Sequence, residues 1–502
     1  MAKTVDGHQD AAGAAIAAPF DSIDPRTGEV LASYPTAGPD EVRWHVGRAR
    51  PASVWWAGLG FAGRGERLAA WRRLVTGRVE ELVTLICAET GKPADDARLE
   101  LALAIDHLHW AEHNAEPVLR RRRMPSGLLM SNQVSTLEYR PLGVIGVIGA
   151  WNYPVFSPVG SIGYALAAGN AVVFKPSEYA PGVGRWLADT FAEVVPEQPV
   201  LSVVTGAGGT GAALCSSGVD KVSFTGSAAT GRTVMASCAR TLTPVLLACG
   251  GKDALIVDED ADLPAAADAA VWGAMVNAGQ TCAGVERVYV PDAVAEEFLA
   301  LVRHRVRALR SGGDPAADVG PITSPSLVDT VRRHIKDALD SGGTAAVGGL
   351  ESVRPPYVEP VVLVDVPEES AAITEETFGP ILVINRVPDV RRAVELANAS
   401  RYALGAAVFS RSRGAELAAS LRAGMVSVNS VLSYAGVPSL PFGGSGESGF
   451  GRVHGADGLR EFATPQSVTR QRFRPPLRAM TFARRGRTVR RLLRITRWRY
   501  GS

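Results

Sequence analysis

The sequence predicts an α/β protein made of two doubly wound units in series. Three observations carry that reading. Short β-branched runs alternate with glycine turns and helical stretches, they do so in two successive sets, and a long helical section precedes the first. With 502 residues and 46% hydrophobic content, the chain is too long for one ordinary core and has ample apolar material for two or three.

The first twenty residues, "MAKTVDGHQDAAGAAIAAPF", contain acids and lack the long apolar block of a secretory signal. They read as a flexible leader. No run reaches membrane-spanning length, so a cytoplasmic protein is expected. From about Asp40 to Arg120 apolar residues recur mostly at helical spacing, as in "ERLAAWRRLVTGRVEELVTLICAET". The first strand set follows: "GVIGVIGA", "AVVFKP", "VLSVVTG", "KVSFTGS" and "ALIVDE", at intervals that suit βαβ units and a parallel sheet. Beyond Cys282 come "GVERVYV", "YVEPVVLVDV", "ILVINRV", "GAAVFS" and "MVSVNS", again with helical segments between them.

Five cysteines (Cys87, Cys215, Cys238, Cys249 and Cys282) are scattered, odd in number and never in a CxxC pair. That argues against a disulfide framework or a zinc site, and reduced thiols are expected. The formal charge of +2 hides an asymmetry. Arg470 to Ser502 holds twelve arginines and no acid, which leaves about −10 on the rest. In this tail arginine interleaves with Phe482, Leu492, Leu493, Ile495, Trp498 and Tyr500, the composition of a helix lying on an anionic membrane surface. Nucleic acid is the rival partner for such a stretch, and a solvated tail is the plain alternative.

Several stretches could carry chemistry. "TGAGGTG" fits GxGxxG through Gly206, Gly208 and Gly211, after a strand-like run and before a helical one, but the acid expected about 20 positions later is missing. His109 and His113, with His107 nearby, are spaced for one helix face. They lack the glutamate of an HExxH arrangement, so a packed or solvated face is expected and no metal. Two cysteines compete as nucleophile. Cys249 ends the apolar run of "PVLLACGGKDALIV", and Cys282 lies among small residues in "NAGQTCAG", where a substrate could approach.

Seven separated motifs then agree in order: "GAWNYP", "FKPSE", "SFTGS", "CGGKD", "NAGQTCAG", "EETFGP" and "PFGGSGESGFGR". In these the chain, from about Phe20 to Val468, resembles the aldehyde dehydrogenases. The resemblance implies a cofactor-binding domain (21–123 and 141–248), a catalytic domain (249–440), and a small bridging β-element (124–140 and 455–470) through which subunits pair as a homodimer or homotetramer. Residues 471–502 are left as the basic tail.

For the site, the resemblance makes Cys282 the nucleophile, with its backbone N–H and the Asn152 amide as oxyanion donors. Lys175 and Glu178 match the positions that hold the adenosine ribose. A carboxylate there repels a 2′-phosphate, so NAD is expected rather than NADP. Trp151 and Ser227 match residues along the pyrophosphate and nicotinamide path, Glu376 and Phe378 those that fix the nicotinamide ribose. Gly208 belongs to the glycine turn. Tyr153, Trp272 and Met275 are candidates for a passage suited to an apolar aldehyde, and the ending "LPFGGSGESGFGRVHG" resembles the branch acting on medium-chain, long-chain or aromatic aldehydes.

One departure matters. In the hydrolytic members a glutamate two residues before the paired glycines activates the water that releases the acid. Here Ala248 stands in that place. Three readings follow: a hydrolytic enzyme with impaired deacylation, natural or engineered; transfer of the acyl group to coenzyme A or another nucleophile; or a catalytically silent NAD-binding or scaffold protein. Cys249 is left as a packing residue.

Overall fold

The computed structural model describes residues 17–314, 316–474 and 479–501. The expected leader ends earlier than residue 20, because Ala17–Ile23 is already a strand, antiparallel to Val30–Thr36. Residues 1–16 of that leader lie outside the described residues. Four helices follow, Pro39–Gly58, Gly60–Gly77, Val79–Thr90 and Ala94–Leu119. Their apolar stripes place Trp56, Leu68, Trp71 and Leu101 in the core.

The chain divides into two compact units: 1–118 with 141–463, and 119–140 with 464–502. The larger contains both α/β sheets. The first has six strands, in the order Gly449–Phe450, Val245–Cys249, Lys221–Gly226, Val144–Ile148, Ala171–Lys175 and Leu201–Val203. All but the Gly449–Phe450 edge run parallel. The strands are fed outward in both directions from Val144–Ile148, so the order reverses between it and Lys221–Gly226. In such sheets ligands bind in the crevice beyond the carboxyl ends at that reversal.

The second sheet has seven strands: Thr344–Val347, Val361–Val364, Ile381–Val387, Val285–Pro291, Asp253–Val257, Gly405–Phe409 and Met425–Val428. Only the Thr344–Val347 edge is antiparallel. Its interior strands are apolar on both faces, as burial under helices on both sides requires. One assignment changes. "ALIVDE", grouped by sequence with the first set, pairs with Val285–Pro291 and Gly405–Phe409 and so belongs to the second sheet. The "CGGKD" turn is therefore where the chain passes from the carboxyl end of one sheet to the amino end of the other.

The smaller unit holds a three-stranded sheet, Ala463–Gln471, Gln133–Pro141 and Arg122–Met124 in that order. The expected bridging segment 455–470 starts too early, because Gly455–Glu461 is a helix of the larger unit with Leu459 fully buried. The basic tail contains a helix, Gly486–Tyr500, none of whose residues is buried. Residues 475–478 and 502 of that tail lie outside the described residues. Among the described residues no helix is long and apolar enough to cross a membrane.

Candidate active site

Parallel sheets place functional side chains at strand ends, and that accounts for most of the candidates. Trp151 and Asn152 follow Val144–Ile148, Glu178 follows Ala171–Lys175, Ser227 follows Lys221–Gly226, and Ala248 lies at the end of Val245–Cys249. All five thus stand at carboxyl ends of the first sheet. Cys282, Glu376 and Phe378 precede Val285–Pro291 and Ile381–Val387, at amino ends of the second.

The loop that carries Cys282 is unusual in its backbone. Asn277 and Ala278 both have left-handed φ, 53° and 56°, a conformation costly for residues with a Cβ. Side chains hold it there. Asn277 Nδ2 donates to the carbonyls of Asn152 (2.9 Å) and Gln280 (3.1 Å), and its backbone N–H donates to Asp96 (3.1 Å). Gln280 donates to Pro321 O at 3.2 Å and accepts from Thr323 N at 2.8 Å. Gly279, at φ +71°, abuts the backbone of Gly379 so closely that a Cβ would overlap it. The same loop receives the expected oxyanion donor: Asn152 Nδ2 donates to Gln280 O at 2.9 Å, two residues before the sulfur.

The Cys282 side chain is partly exposed, and the N–H groups of Ala283 and Cys282 approach its sulfur. Burial, then the charges of Glu376 and Asp253, push its thiol up to about 12. Without cofactor or substrate the sulfur is therefore held as a thiol. Cys249 differs. It is buried in a regular strand, faces Gly231 of the helix Ala228–Ala239, and has its thiol pushed up to about 11, chiefly by burial. Ala248 sits between Thr225 and Gly449 in the sheet and offers no carboxylate.

Besides Asp253, whose Oδ1 lies against Gly251, a carboxylate from elsewhere in the sequence reaches this turn. Glu376 lies against Gly250, where any Cβ would overlap it, and accepts the N–H of Gly251. Its Oε1 is buried and has no hydrogen-bond partner. Burial and then Glu286 push this carboxyl up to about 8. Glu286 fixes the segment that carries it, accepting the N–H groups of Thr377 and Phe378 and pairing with buried Lys252.

Other candidates fall into groups. Trp151 meets Phe378 edge to face, with ring centroids 5.7 Å apart, and Tyr179 at 6.1 Å. Lys175 pairs with Glu178 at 3.2 Å. Burial lowers the lysine, while the carboxylate of Glu178 stays half-exposed at the strand end. Two residues are less engaged. Ser227 Oγ caps its helix by accepting from Thr230 N at 3.2 Å, and Gly208 opens the helix Gly208–Cys215 with open space where a Cβ would stand. The tight packing in that turn belongs to Gly206, against Thr210.

Of the passage candidates, Tyr153 bonds to Thr281 Oγ1 at 2.9 Å, next to Cys282 in sequence, while Lys92 lies over its ring. Trp272 is exposed on its helix. Met275 is a correction: it is 2% exposed and packs in the core beneath the second sheet, because its position on Leu263–Met275 faces the strands. His109 and His113 gain a third neighbour in Glu112, with ligand atoms within 4.8 Å of one another. That carboxylate is already gripped by Arg72, whose closest bond is 2.9 Å, so a cation would compete with a guanidinium.

Asn277, Gln280, Glu286 and Glu100 escaped the sequence reading. Glu100 accepts the N–H groups of Val155 and Phe156 (2.8 and 3.0 Å), pairs with Lys92 (2.5 Å), and so steadies the segment after Asn152. Its signal is faint, an acid beside the apolar stripe of a helix. Asn277 and Gln280 were visible as amides inside a glycine-bounded cysteine turn.

Trp151 and Asn152, with Lys175 and Glu178, stand at the carboxyl ends of two adjacent parallel strands, Val144–Ile148 and Ala171–Lys175, where such sheets bind ligands. Comparison with known proteins identifies the family. The family model described as "Aldehyde dehydrogenase family" matches residues 13–468. A 4,4'-diapolycopene aldehyde oxidase of a Methylomonas species is 38% identical over 91% of this chain and 86% of its own. A putative succinate-semialdehyde dehydrogenase [NADP(+)] of Mycolicibacterium smegmatis is 36% identical over 90% of this chain and 89% of its own. Among solved structures, PnpE in complex with nicotinamide adenine dinucleotide superposes with a TM-score of 0.87 at 30% identity, covering 92% of this chain and 96% of that one; PnpE is from Pseudomonas sp. WBC-3. The chain belongs to the aldehyde dehydrogenase family, oxidoreductases that act on aldehydes with a nicotinamide cofactor.

Proposed function

We propose that this protein oxidises an apolar aldehyde, aliphatic or aromatic, to the carboxylic acid with NAD, through a thiohemiacetal and then a thioester on Cys282, and that Ala248 slows release of the acid. The observation that carries this reading is the convergence of Asn152 and the Cys282 loop. The Asn152 amide, held by Gln280 O, has a second N–H to offer an oxyanion, and the Cys282 N–H offers another. Bound cofactor supplies the hydride acceptor. Trp151, Lys175, Glu178, Ser227, Gly208, Glu376 and Phe378 are the residues proposed to hold it. The sulfur adds to the aldehyde carbon, the two N–H donors stabilise the alkoxide, and loss of hydride leaves the acyl group on sulfur.

NAD is favoured by the Glu178 carboxylate beside Lys175 and by the likeness to PnpE, whose complex contains NAD. The mycobacterial relatives are named for NADP(+), so the ratio of kcat/KM for the two cofactors is the deciding measurement. An apolar substrate is supported by the name of the diapolycopene aldehyde relative, and by Lys92, the cation over the Tyr153 ring. It is tied to Glu100 and offers no charge to an acidic substrate. Stopped-flow mixing with a panel of aldehydes and NAD should give a stoichiometric burst of NADH followed by slow turnover. Coenzyme A accelerating the slow phase would instead select acyl transfer, and absence of a burst would favour the silent scaffold.

Two placements complete the reading. The three-stranded sheet has free edges at Ala463–Gln471 and Arg122–Met124 and is proposed to pair subunits as a homodimer or homotetramer. Light scattering would measure the state. The Gly486–Tyr500 helix carries six arginines and exposes Val489, Leu493, Trp498 and Tyr500, and is proposed to hold a cytoplasmic enzyme against anionic membrane. Co-sedimentation with phosphatidylserine vesicles should fall when residues 479–502 are deleted. Equal partitioning of both forms would remove this idea.

A further inference from the structure

We propose that Glu376 supplies the general base that position 248 lacks, taking the proton from the water that attacks the acyl group on Cys282. This rests on the thioester reading above and adds a catalytic role to a residue assigned to cofactor binding. The placement is the first support. The Glu376 carboxylate lies over Gly250, two residues beyond Ala248, and accepts the N–H of Gly251. Gly251 in turn adjoins the nucleophile, since a Cβ on it would stand 3.0 Å from Cys282 O. One two-glycine turn thus touches both the carboxylate and the Cys282 backbone.

The second support is an unused lone pair. Oε1 of Glu376 is buried without a partner, and buried oxygens are seldom left so unless something else binds them. Water approaching a thioester is one such group. The third is electrostatic. The charge of Glu376, and after it that of Asp253, helps to push the Cys282 thiol up.

Glu376 is faced by Cys249, Lys252, Asp253, Cys282, Glu286 and Tyr402. The net result is a carboxyl at about 8, raised by burial and Glu286 against the Gly251 N–H and Lys252. A base near the working pH is well matched to water activation. Asp253 is the rival, with an unpartnered Oδ2. Its Oδ2 lies against Gly405 near the Tyr434 hydroxyl, while its Oδ1 lies against Gly251, so the two carboxylates are told apart by substitution.

The step balances without an oxidant. Water's oxygen bonds to the thioester carbon while its proton passes to Glu376. The C–S bond then breaks with its electron pair going to sulfur, the acid departs, and the proton held by Glu376 returns to the Cys282 thiolate.

The test avoids the cofactor. p-Nitrophenyl acetate acylates Cys282 directly, so nitrophenolate should appear as a burst and then at the rate of deacylation. Glu376→Gln should keep the burst amplitude, slow the second phase by roughly 10²-fold, and lose the rise in deacylation that the unaltered protein shows between about pH 7 and 9. Unchanged deacylation and pH profile in Glu376→Gln would overturn the proposal, as would their loss in Asp253→Asn alone. A failure of the thioester reading itself looks different: no burst and no acyl adduct on Cys282 in the unaltered protein.

Discussion

Cys249 and Cys282 each stand beside glycines at the end of a sheet, yet their surroundings differ in kind. Cys249 completes a regular parallel strand, donates its N–H to Ser448 O at 3.1 Å and fits its sulfur against Gly231. Cys282 follows two left-handed residues, Asn277 and Ala278, in a loop fixed by side-chain amides and close backbone approach to Gly379. Both thiols are pushed up by burial. What separates them is the set of N–H donors around Cys282 and the backbone strain that its neighbours sustain, features of a site held ready rather than merely packed.

The largest contrast expected is between the two deletions. Cys282→Ala should abolish the NADH burst, while Cys249→Ala should leave its amplitude unchanged in stopped-flow traces with a saturating aldehyde. A burst surviving in Cys282→Ala would erase the distinction. Next, Ala248→Glu should restore a positioned base and raise steady-state turnover by roughly tenfold to a hundredfold, with the burst disappearing as deacylation ceases to limit. Asn277→Ala should slow the burst by roughly 10- to 100-fold, because the loop loses the bonds to Asn152 O and Gln280 O and the sulfur shifts from its donors. Pre-steady-state rates separate this from a change in turnover.

A pH profile sharpens the same comparison. With its thiol at about 12, Cys282 should be alkylated by iodoacetamide in cofactor-free protein at a rate that climbs between about pH 7 and 10 without a plateau, since the thiolate fraction grows throughout that range. Buried Cys249 should remain unlabelled, as peptide mapping would report. The smallest effect belongs to packing. Cys249→Ala removes one buried sulfur and should cost about 1 kcal/mol of stability in denaturant titrations.

Much of this was legible in the sequence because it is local. The strand-ending motifs placed Trp151, Asn152, Glu178 and Ser227 at sheet ends, and the helical section from Asp40 to Arg120 follows from spacing alone. What was not legible depends on distant pairing. "ALIVDE" looks like any interior parallel strand, and nothing within it says which sheet it joins. Met275 reads as a large side chain a few residues before Cys282 until its helix face is known. Glu100 and Glu286 look like solvated acids, and only the folded chain brings each against two backbone N–H groups. The position of Glu376 over Gly250 joins residues 126 apart in sequence through the packing of two sheet ends, so Ala248 could be read as a loss while a nearby carboxylate went unseen.

Oxidation through an acyl group on Cys282 leaves a covalent mark that can be caught. Quenching the protein in acid during the NADH burst and mapping its peptides by mass spectrometry tests this directly. The expected result is the mass of the acyl group on the peptide containing Cys282, in an amount matching the NADH formed, and none on Cys249. NADH formed while Cys282 stays unmodified, or an adduct on Cys249 instead, would contradict it.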